Sequence, residues 1–430
     1  MAQYNVAVVG LGKIGLPLAA QFAHSGLKVI GCDINPEVVS MVNAGYSHVK
    51  EEPGLEEWVR EGVESGNLTA TTDTTAAVRQ SNVVMVIVPV IVDDERQVDY
   101  RSIDAATRAI GAGLQPDTLV IYETTLPVGT TRTRFAPALE QDSGLTVGRD
   151  FWLAFSPERV YSGRIFRDLV KYPKVVGGVT PECTARAAAF YNIALGGTES
   201  LAMHNTDTAE LVKLMETTYR DVNIALANEF ARFADARDLP VDQAIAAANT
   251  QPFSHIHRPG IAVGGHCIPV YPYFLINHAD EGEMEIPRIS RRVNDNMAAW
   301  SLDKLSKALG GLEGKRVLIL GFSYRENVKE PVFSGALRLI TQLREAGATP
   351  TVNDPLFTDE EIARHGAAPA PLTDLPSADA IILQAYHDDY RTLDWSALAS
   401  KGYRVVLDGR NSLDRAAIES TGMRYIGMGR

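Results

Sequence analysis

The hydrophobic pattern of the first 200 residues alternates between two periods. Residues 5–10 form a short apolar run, residues 14–25 carry apolar positions at helical spacing, and residues 28–33 are apolar again. This order predicts a βαβ unit. Further strand-like runs lie at 83–88, 118–122 and 151–155, separated by helical segments such as 102–113. The pattern predicts a doubly wound, mainly parallel sheet that reaches to about residue 200.

The longest apolar stretch is the ten-residue run 83–92. A membrane-spanning helix needs about 20 apolar residues, so this run predicts a buried strand interrupted by Pro89. The first residues of the chain lead directly into a strand-like run, without the basic and then apolar segments of a secretory signal. We therefore expect no membrane partner.

A long helix is predicted at the centre of the chain. Residues 205–239 contain neither Gly nor Pro, and their apolar residues recur in helical rhythm. One continuous helix would be on the order of 50 Å long, and two shorter helices are the alternative. A helix of this length commonly links domains, and its spare apolar face suits a twofold homodimer interface.

The α/β pattern restarts after this helical region. Strand-like runs occur at 316–321, 349–353, 380–384 and 404–407, with a helical segment at 334–346. The predicted fold class is therefore α/β, with two Rossmann-like doubly wound domains joined by a central helical domain. We place the first Rossmann-like domain at 1–200, the helical domain at 201–305 and the second Rossmann-like domain at 306–430.

The net charge and the cysteine content limit the binding partners and the compartment that we expect for this protein. The 430 residues carry a formal net charge of −12, which opposes association with nucleic acid and with anionic membrane surfaces. Cys32, Cys183 and Cys267 are odd in number and far apart, so a disulfide framework is not expected. Three free thiols favour a reducing compartment, and we expect a cytoplasmic protein.

A dinucleotide-binding motif lies in the first βαβ unit. Gly10, Gly12 and Gly15 match G-x-G-x-x-G between a predicted strand and a predicted helix, and Asp33 ends the next strand. The glycines allow a tight turn, close approach of a pyrophosphate and close packing of the helix on the strand. Asp33 would bind a ribose hydroxyl and repel a 2′-phosphate, which favours NAD over NADP.

A second candidate site is the stretch 260–274, GIAVGGHCIPVYPYF. A structural cysteine needs no such stiff surroundings, whereas a reactive thiol must be held at a fixed distance from its substrate, so Cys267 is a candidate nucleophile. His266 would point to the opposite face of an extended chain. A metal cluster of these residues with His255 and His257 fits no common zinc spacing, and we expect no metal.

Five motifs carry a family resemblance: GLGKIG at 10–15, ETTLPVGTT at 123–131, FSPERV at 155–160, KLMETTYR at 213–220 and GGHCIP at 264–269. Together they span nearly the whole chain, and in this order they resemble the nucleotide-sugar 6-dehydrogenases. This family includes the UDP-glucose, UDP-N-acetylmannosamine and UDP-N-acetylglucosamine dehydrogenases. The PERV and GGHCIP segments are more similar to the UDP-N-acetylhexosamine branch.

The resemblance implies a two-step, NAD-dependent oxidation of a sugar hydroxymethyl group to a carboxylate through a thioester. By the same resemblance Cys267 is the nucleophile, Lys213 stabilises oxyanions and helps to move protons, and Glu158 handles water in thioester hydrolysis. Thr125 is matched to a threonine at the cofactor and the catalytic water. Thr217 stands where the family usually has an asparagine, and its hydroxyl can still donate a hydrogen bond.

The remaining predicted site residues contact either the NAD cofactor or the sugar-nucleotide substrate. Besides the three glycines, Asp33 and Thr125, the expected cofactor-binding residues are Lys13, Ile14 and Val90. Besides Lys213 and Thr217, the expected substrate-binding residues are Arg159, Val160, Arg220, Gln251, Phe253, Gly264, Tyr324, Arg325 and Arg410.

Several positions depart from the family pattern, and they concern the substrate. Tyr271 replaces the usual aspartate four residues after the cysteine, and Phe253 replaces an anion-contacting arginine. Arg325 replaces a lysine, and Val332 falls where a downstream arginine is usual. The cofactor and thiol motifs are intact, so the resemblance supports the chemistry better than the identity of the substrate.

The preferred function is oxidation of a UDP-N-acetylhexosamine to its uronate, with UDP-glucose as the alternative substrate within the family. A single-hydride alcohol or hydroxyacid dehydrogenase would use the same architecture but would leave the GGHCIP loop unexplained. A non-catalytic nucleotide-sugar-binding protein is a third hypothesis, motivated by Tyr271, Thr217 and Phe253. NADH production per substrate separates the three.

Overall fold

The computed structural model describes residues 4–93 and 95–430, which fall into two compact units. The first unit extends to Glu216 and includes Tyr273–His278, and the second comprises Thr217–Pro272 and Ala279–Arg430. The predicted three-part division at residues 200 and 305 stays a prediction.

The strands, in chain order, are β1 Asn5–Val9, β2 Lys28–Cys32, β3 Leu68–Thr71, β4 Val83–Val86, β5 Ile91–Val92, β6 Val98–Asp99, β7 Leu119–Tyr122, β8 Trp152–Phe155, β9 Lys174–Gly178, β10 Ser200–Ala202, β11 Arg316–Leu320, β12 Thr349–Asn353, β13 Ala368–Pro369, β14 Ala380–Leu383, β15 Val405–Asp408 and β16 Arg424–Gly427.

The α-helices are α1 Gly15–His24, α2 Pro36–Asn43, α3 Leu55–Glu64, α4 Thr74–Arg79, α5 Arg101–Gly113, α6 Ala136–Ser143, α7 Ile165–Lys171, α8 Pro181–Ala194, α9 Thr206–Asp235, α10 Val241–Ala248, α11 Pro272–Ile276, α12 Glu285–Asp295, α13 Met297–Leu309, α14 Gly335–Glu345, α15 Asp359–Ala363, α16 Trp395–Ser400 and α17 Arg415–Glu419. A π-helical turn at Thr131–Phe135 precedes α6.

The first unit is built on an eight-stranded sheet in the order β10-β9-β8-β7-β4-β1-β2-β3. From β8 to β3 every pair is parallel, and this part has the strand order of a dinucleotide-binding fold. Strand β9 runs antiparallel to β8. The predicted parallel α/β sheet is thus confirmed, and its extra edge reverses direction.

One strand prediction needs correction. The apolar run 83–92 is not one buried strand, because β4 ends at Val86 and Ile91–Val92 pairs antiparallel with Val98–Asp99 in a separate ribbon. Ile91 is 53% exposed. Pro89 has no N–H to donate to a sheet, so the chain leaves the sheet before it.

The apolar strand residues account for the core of this unit. Each residue of β4 and β7 is buried, as expected for parallel strands covered on both faces by helices. Helix α1 packs Leu16, Leu18 and Phe22 into the same cluster. Cys32, at the end of β2, and Cys183, in α8, are buried as well, so both belong to the core.

Helix α9 is a single helix of 30 residues, about 45 Å long at 1.5 Å per residue. The prediction of one continuous helix is confirmed, and the alternative of two shorter helices is wrong. The chain leaves the helix through Asp238, which has a φ of 54°, and Pro240 follows.

The second unit contains a six-stranded sheet in the order β13-β12-β11-β14-β15-β16. All of its neighbours pair in parallel, so its topology repeats the order of the first six strands of the other sheet. The second Rossmann-like domain is therefore confirmed. Within the described residues, no helix combines the length and apolar character needed to cross a bilayer.

Candidate functional site

The glycine turn after β1 is tight, and it leaves room at the position where the sequence predicts a pyrophosphate. Gly10 has a φ of 94°, in the region that favours glycine. A Cβ on Gly15 would lie 1.8 Å from the carbonyl oxygen of Gly10, so the helix packs directly on the turn. A Cβ on Gly12 would meet no heavy atom within 4 Å, which leaves open space at the N-terminal end of α1.

Asp33 lies beside this turn. Its Oδ2 accepts a hydrogen bond from the Leu11 amide at 3.0 Å, and its Oδ1 accepts one from the Asn35 amide at 2.9 Å. The carboxylate is thereby held at the end of β2 with lone pairs to spare for a ribose hydroxyl. Lys13 lies 3.8 Å from Glu51, and Ile14 packs on the core.

The loops after β4 and β7 meet at the same sheet edge. The Thr124 hydroxyl donates to the Val88 carbonyl oxygen at 2.7 Å, and both Val90 and Thr125 are buried. Glu210 of α9 accepts hydrogen bonds from the Gly129 and Thr131 amides. These contacts fix the loop that carries Thr125, and the residues at this edge fit a dinucleotide.

Glu158 follows β8 at this edge and is tightly held. Its Oε1 accepts from the Arg159 amide at 2.6 Å and the Val160 amide at 3.1 Å. Its Oε2 lies 2.8 Å from the ammonium of Lys174, the first residue of β9. The ammonium of Lys213 donates to the main-chain oxygen of Glu158.

Lys174 also binds a second carboxylate. Its Nζ lies 2.8 Å from Glu123 Oε1, and the Tyr191 hydroxyl donates to the same carboxylate. Burial raises the pKa of Glu123. Burial also opposes ionisation of Glu158, but the Lys174 ammonium, the Arg159 amide and the Lys213 charge together outweigh it and lower the pKa of Glu158. Despite burial, the two carboxylates raise the pKa of Lys174.

The neighbouring cation Arg159 is engaged within the first unit. One guanidinium nitrogen lies 2.8 Å from Glu216 Oε1, and another donates to the Pro173 carbonyl oxygen at 3.3 Å. Val160 lies half-buried against the core. Both stay predicted substrate contacts.

In the second unit, the loop that carries Cys267 is fixed to the segment after β11. Gly264 and Gly265 lie against Tyr324, where a Cβ on Gly264 would be 2.6 Å from the Tyr324 Cβ. The Gly265 amide donates to the Val332 carbonyl oxygen at 2.9 Å, and His266 Nε2 lies 3.0 Å from Glu330 Oε2. The paired glycines are therefore required by close packing.

Cys267 differs from the other two cysteines in its exposure. It is partly exposed, whereas Cys32 and Cys183 are buried, and all three are free thiols. Its carbonyl oxygen accepts from the Tyr271 amide at 2.9 Å, so the thiol lies at the start of a hydrogen-bonded turn.

Arg410 holds this part of the chain together. Its guanidinium donates to the carbonyl oxygens of Gln384, Ala262 and Tyr324, and burial lowers its pKa. These contacts join the loops after β11, β14 and β15 to the segment before the cysteine. The substrate role assigned to Arg410 stays a prediction, and its bonds within the protein are a further function of the residue.

The other predicted substrate residues of the second unit differ widely in their solvent exposure. Thr217 is fully buried in α9, and Phe253 is 88% exposed. Gln251 Oε1 accepts from the Phe253 amide at 2.9 Å. Arg325 Nε donates to the Tyr324 hydroxyl at 3.0 Å. Arg220 is partly exposed on α9.

Sequence reasoning missed Lys174, Tyr191 and Glu330. Lys174 stands directly before the apolar run Val175–Val176 in KYPKVVGG, and a lysine that begins a buried strand could have been recognised as a buried cation that needs partners. The partners themselves are distant in sequence, and no local signal connects them.

Iodoacetamide is expected to modify Cys267 in the native protein and to leave Cys32 and Cys183 unmodified. The reagent attacks the thiolate, and burial raises the pKa of the Cys32 thiol to about 12. Peptide mass spectrometry after a short incubation measures the labelling of each cysteine. In denaturant all three should react, and labelling of Cys32 ahead of Cys267 in the folded protein would contradict this assignment.

The substitution Gly12→Ala should weaken NAD binding by about tenfold or more and leave the fold intact, because the added methyl group fills only the open space beside α1. Calorimetric titration with NAD and thermal unfolding measure the two effects. Gly15→Ala is the matched comparison: its methyl group collides with the main chain, so the free energy of unfolding should fall by about 1–3 kcal/mol. Native NAD affinity in Gly12→Ala would exclude the pyrophosphate assignment.

Three domain signatures of one family match the chain. The NAD binding domain of the UDP-glucose/GDP-mannose dehydrogenase family matches residues 4–195, its central domain matches 207–297, and its UDP binding domain matches 318–415.

Known relatives match the chain over nearly its full length. A UDP-N-acetyl-D-mannosamine dehydrogenase of Pyrococcus horikoshii is 36% identical over 99% of each chain. An NDP-N-acetyl-D-galactosaminuronic acid dehydrogenase of Ralstonia solanacearum is 34% identical over 94% of this chain and 95% of the relative. The solved structure of a UDP-D-ManNAc dehydrogenase from Pyrococcus horikoshii superimposes with a TM-score of 0.90, 34% identity and 99% coverage of each chain. The chain is therefore a member of the UDP-glucose/GDP-mannose dehydrogenase family, with that family's NAD binding domain.

Proposed function

We propose that this protein oxidises the C6 hydroxymethyl group of a UDP-N-acetylhexosamine, such as UDP-N-acetylmannosamine or UDP-N-acetylglucosamine, to the carboxylate. The observation that carries the substrate class is the match, over 99% of both chains, to a UDP-N-acetyl-D-mannosamine dehydrogenase. The partly exposed Cys267 in the GGHCIP loop supports the covalent route.

The overall reaction consumes one alcohol, one water and two NAD⁺, and it yields one carboxylate, two NADH and three protons. NAD⁺, which Gly10, Gly12, Gly15 and Asp33 would hold, would supply the hydride acceptor for the two oxidations. The side chains of the protein carry out the other steps: they bind the sugar, trap the aldehyde and release the carboxylate.

Cys267 traps the aldehyde. Its thiolate adds to the carbonyl carbon to give a thiohemiacetal, whose oxidation leaves a thioester. Water then adds to the thioester carbon, the carbon–sulfur bond breaks, and the sulfur departs as thiolate. A thiolate suits both ends of this sequence because it is a strong nucleophile and a good leaving group from an acyl carbon.

The other proposed catalytic residues have polar side chains that act on oxygen atoms of the substrate and of the hydrolytic water. Lys213 supplies a cation for the alkoxide and the tetrahedral oxyanions, and the Thr217 hydroxyl donates to the same oxygen. Glu158 accepts a proton from the hydrolytic water, for which an ionised and fixed carboxylate is suited. Thr125 orients that water beside the cofactor.

The native protein should form two NADH per UDP-N-acetylmannosamine consumed, because the aldehyde is retained and oxidised a second time. Cys267→Ser should form little or no uronate, because an alkoxide leaves an acyl carbon far less readily than a thiolate does. Absorbance of NADH together with chromatography of the sugar nucleotide measures both quantities, and a panel of UDP-sugars that includes UDP-glucose identifies the substrate.

The three hypotheses give separate results in this assay. One NADH per substrate, unchanged in Cys267→Ser, would exclude the thioester route and leave a single-hydride dehydrogenase. Tight binding of UDP-sugar and NAD without NADH formation would support a binding protein. If the protein prefers UDP-glucose, the proposed reaction stands and the proposed substrate is wrong.

We propose that the remaining substrate contacts are those assigned from the sequence. Arg159, Val160, Arg220, Gln251 and Phe253 would contact the sugar nucleotide, together with Gly264, Tyr324, Arg325 and Arg410. The departures at Tyr271 and Phe253 are reasons to include other hexosamines in the panel, because each replaces a charged group with an aromatic ring.

We further propose that α9 forms a homodimer in the cytoplasm. Tyr219, Leu226, Phe230 and Phe233 are each more than 40% exposed and fall within an arc of about 60° on the helix. A contiguous apolar stripe of this kind is characteristic of an interface between subunits. Three free thiols favour the reducing compartment.

The substitution Leu226→Glu should convert the dimer into a monomer, because it places a charge at the centre of the apolar stripe. Size-exclusion chromatography with light scattering measures the mass. Leu356→Glu is the matched control, since Leu356 is 37% exposed and lies outside α9; it should remain dimeric. A native monomer, or a dimer that tolerates Leu226→Glu, would exclude this interface.

A further inference from the structure

A buried charge cluster lies behind the proposed base Glu158. The Lys174 ammonium is 2.8 Å from a carboxylate oxygen of Glu123 and 2.8 Å from one of Glu158. The side chains of Lys174, Glu123 and Glu158 are 6%, 0% and 13% exposed. Tyr191, also buried, completes the cluster by donating to Glu123.

The reversal of β9 creates this cluster. Strands β8 and β9 pair antiparallel, with Ala154 opposite Gly178 and Phe155 opposite Gly177. Continuing this register beyond Phe155 brings Lys174 opposite Glu158. A parallel strand would place its first residue at the other end of the sheet, so the antiparallel strand delivers a cation to the edge where the site residues lie.

Such a cluster is a poor way to stabilise a core. Removing charges from water costs more than burying apolar side chains of similar volume, and replacing a buried ion pair by apolar residues is often neutral or stabilising. Two carboxylates against one ammonium also leave an excess negative charge, which a buried site relieves by binding a proton.

The surroundings decide which carboxyl group holds that proton. Glu158 receives two main-chain N–H donors as well as Lys174, and these donors favour the ionised form. Glu123 is more deeply buried, and its Oε2 has no hydrogen-bond partner within the described structure. Environments that separate two titratable groups in this way are typical of catalytic pairs.

We propose that Lys174 is a positioning residue for thioester hydrolysis: its ammonium fixes the Glu158 carboxylate in orientation and in the ionised form, while Glu123 anchors Lys174 and carries the excess proton. This inference rests on the proposed function, because it assumes that Glu158 accepts a proton from the hydrolytic water. Lys213 donates to the main-chain oxygen of Glu158, and its charge also lowers the pKa of the Glu158 carboxyl group, though less than Lys174 does.

The test compares Lys174→Met, Lys174→Arg and the control Lys171→Met, an exposed lysine at the end of α7. In Lys174→Met, kcat for uronate formation should fall by about tenfold or more, with KM nearly unchanged. The acid limb of the kcat–pH profile should move to higher pH, because Glu158 without its cation ionises at higher pH. The other charged groups around Glu158, namely Arg159, Lys213 and Glu123, and the neutral Tyr191 hydroxyl are unchanged in this variant.

The two control substitutions distinguish the effect of losing the Lys174 charge from the effect of changing its packing. Lys174→Arg keeps the cation and should recover most of kcat and the native pH profile, and Lys171→Met should match the native protein. Native kcat and an unshifted pH profile in Lys174→Met would overturn the proposal. Equal loss in Lys174→Arg and Lys174→Met would also overturn it, because the charge would then be irrelevant.

A second measurement needs neither turnover nor a folded Lys174→Met protein. Infrared difference spectra of the native protein across neutral pH should contain the C=O band of a buried protonated carboxyl group, and Glu123→Gln should remove that band. Persistence of the band in Glu123→Gln and its loss in Glu158→Gln would reverse the charge assignment and overturn the proposal. If the native protein oxidises no sugar nucleotide, the proposed function fails, while the infrared result still decides which carboxyl group is protonated.

Discussion

Parallel strands of a doubly wound sheet all end at the same edge, and the first unit depends on this constraint. Chain segments that leave β1, β2, β4, β7 and β8 therefore arrive side by side, although they are far apart in sequence. The glycine turn, Asp33, the Thr124 loop and Glu158 each follow one of these strands. The open space beside Gly12, the Asp33 carboxylate and the fixed Glu158 carboxylate thus lie at one edge because the strands run in the same direction.

Much of the fold could be predicted because its signals are local. Apolar runs, helical spacing and the absence of Gly and Pro indicated both sheets and the long helix α9, and the structure confirms them. The run 83–92 was misread because an apolar stretch does not reveal where its sheet partner ends. The direction of β9 could not be predicted either, since strand polarity is decided by the partner strand and not by the residues of Lys174–Gly178.

The candidate site likewise has residues that the sequence alone identifies and contacts that only the fold reveals. Glycines, the cysteine loop and single charged residues belong to short motifs that a sequence displays directly. Their partners do not: Lys174 binds carboxylates from two different loops, and Arg410 binds three main-chain carbonyl oxygens. A sequence shows that an arginine is present, but only the fold determines whether its guanidinium is already occupied by the protein.

The same argument applies to reactivity. Cys32, Cys183 and Cys267 have identical side chains, and burial distinguishes them: desolvation disfavours a thiolate at Cys32, whereas Cys267 lies partly exposed on a turn braced by Tyr324 and Val332. Glu123 and Glu158 likewise share one chemistry and one cation, and main-chain N–H donors favour ionisation of only one of them. In both cases the surroundings that the fold gives to each side chain, and not its covalent structure, distinguish chemically equivalent groups.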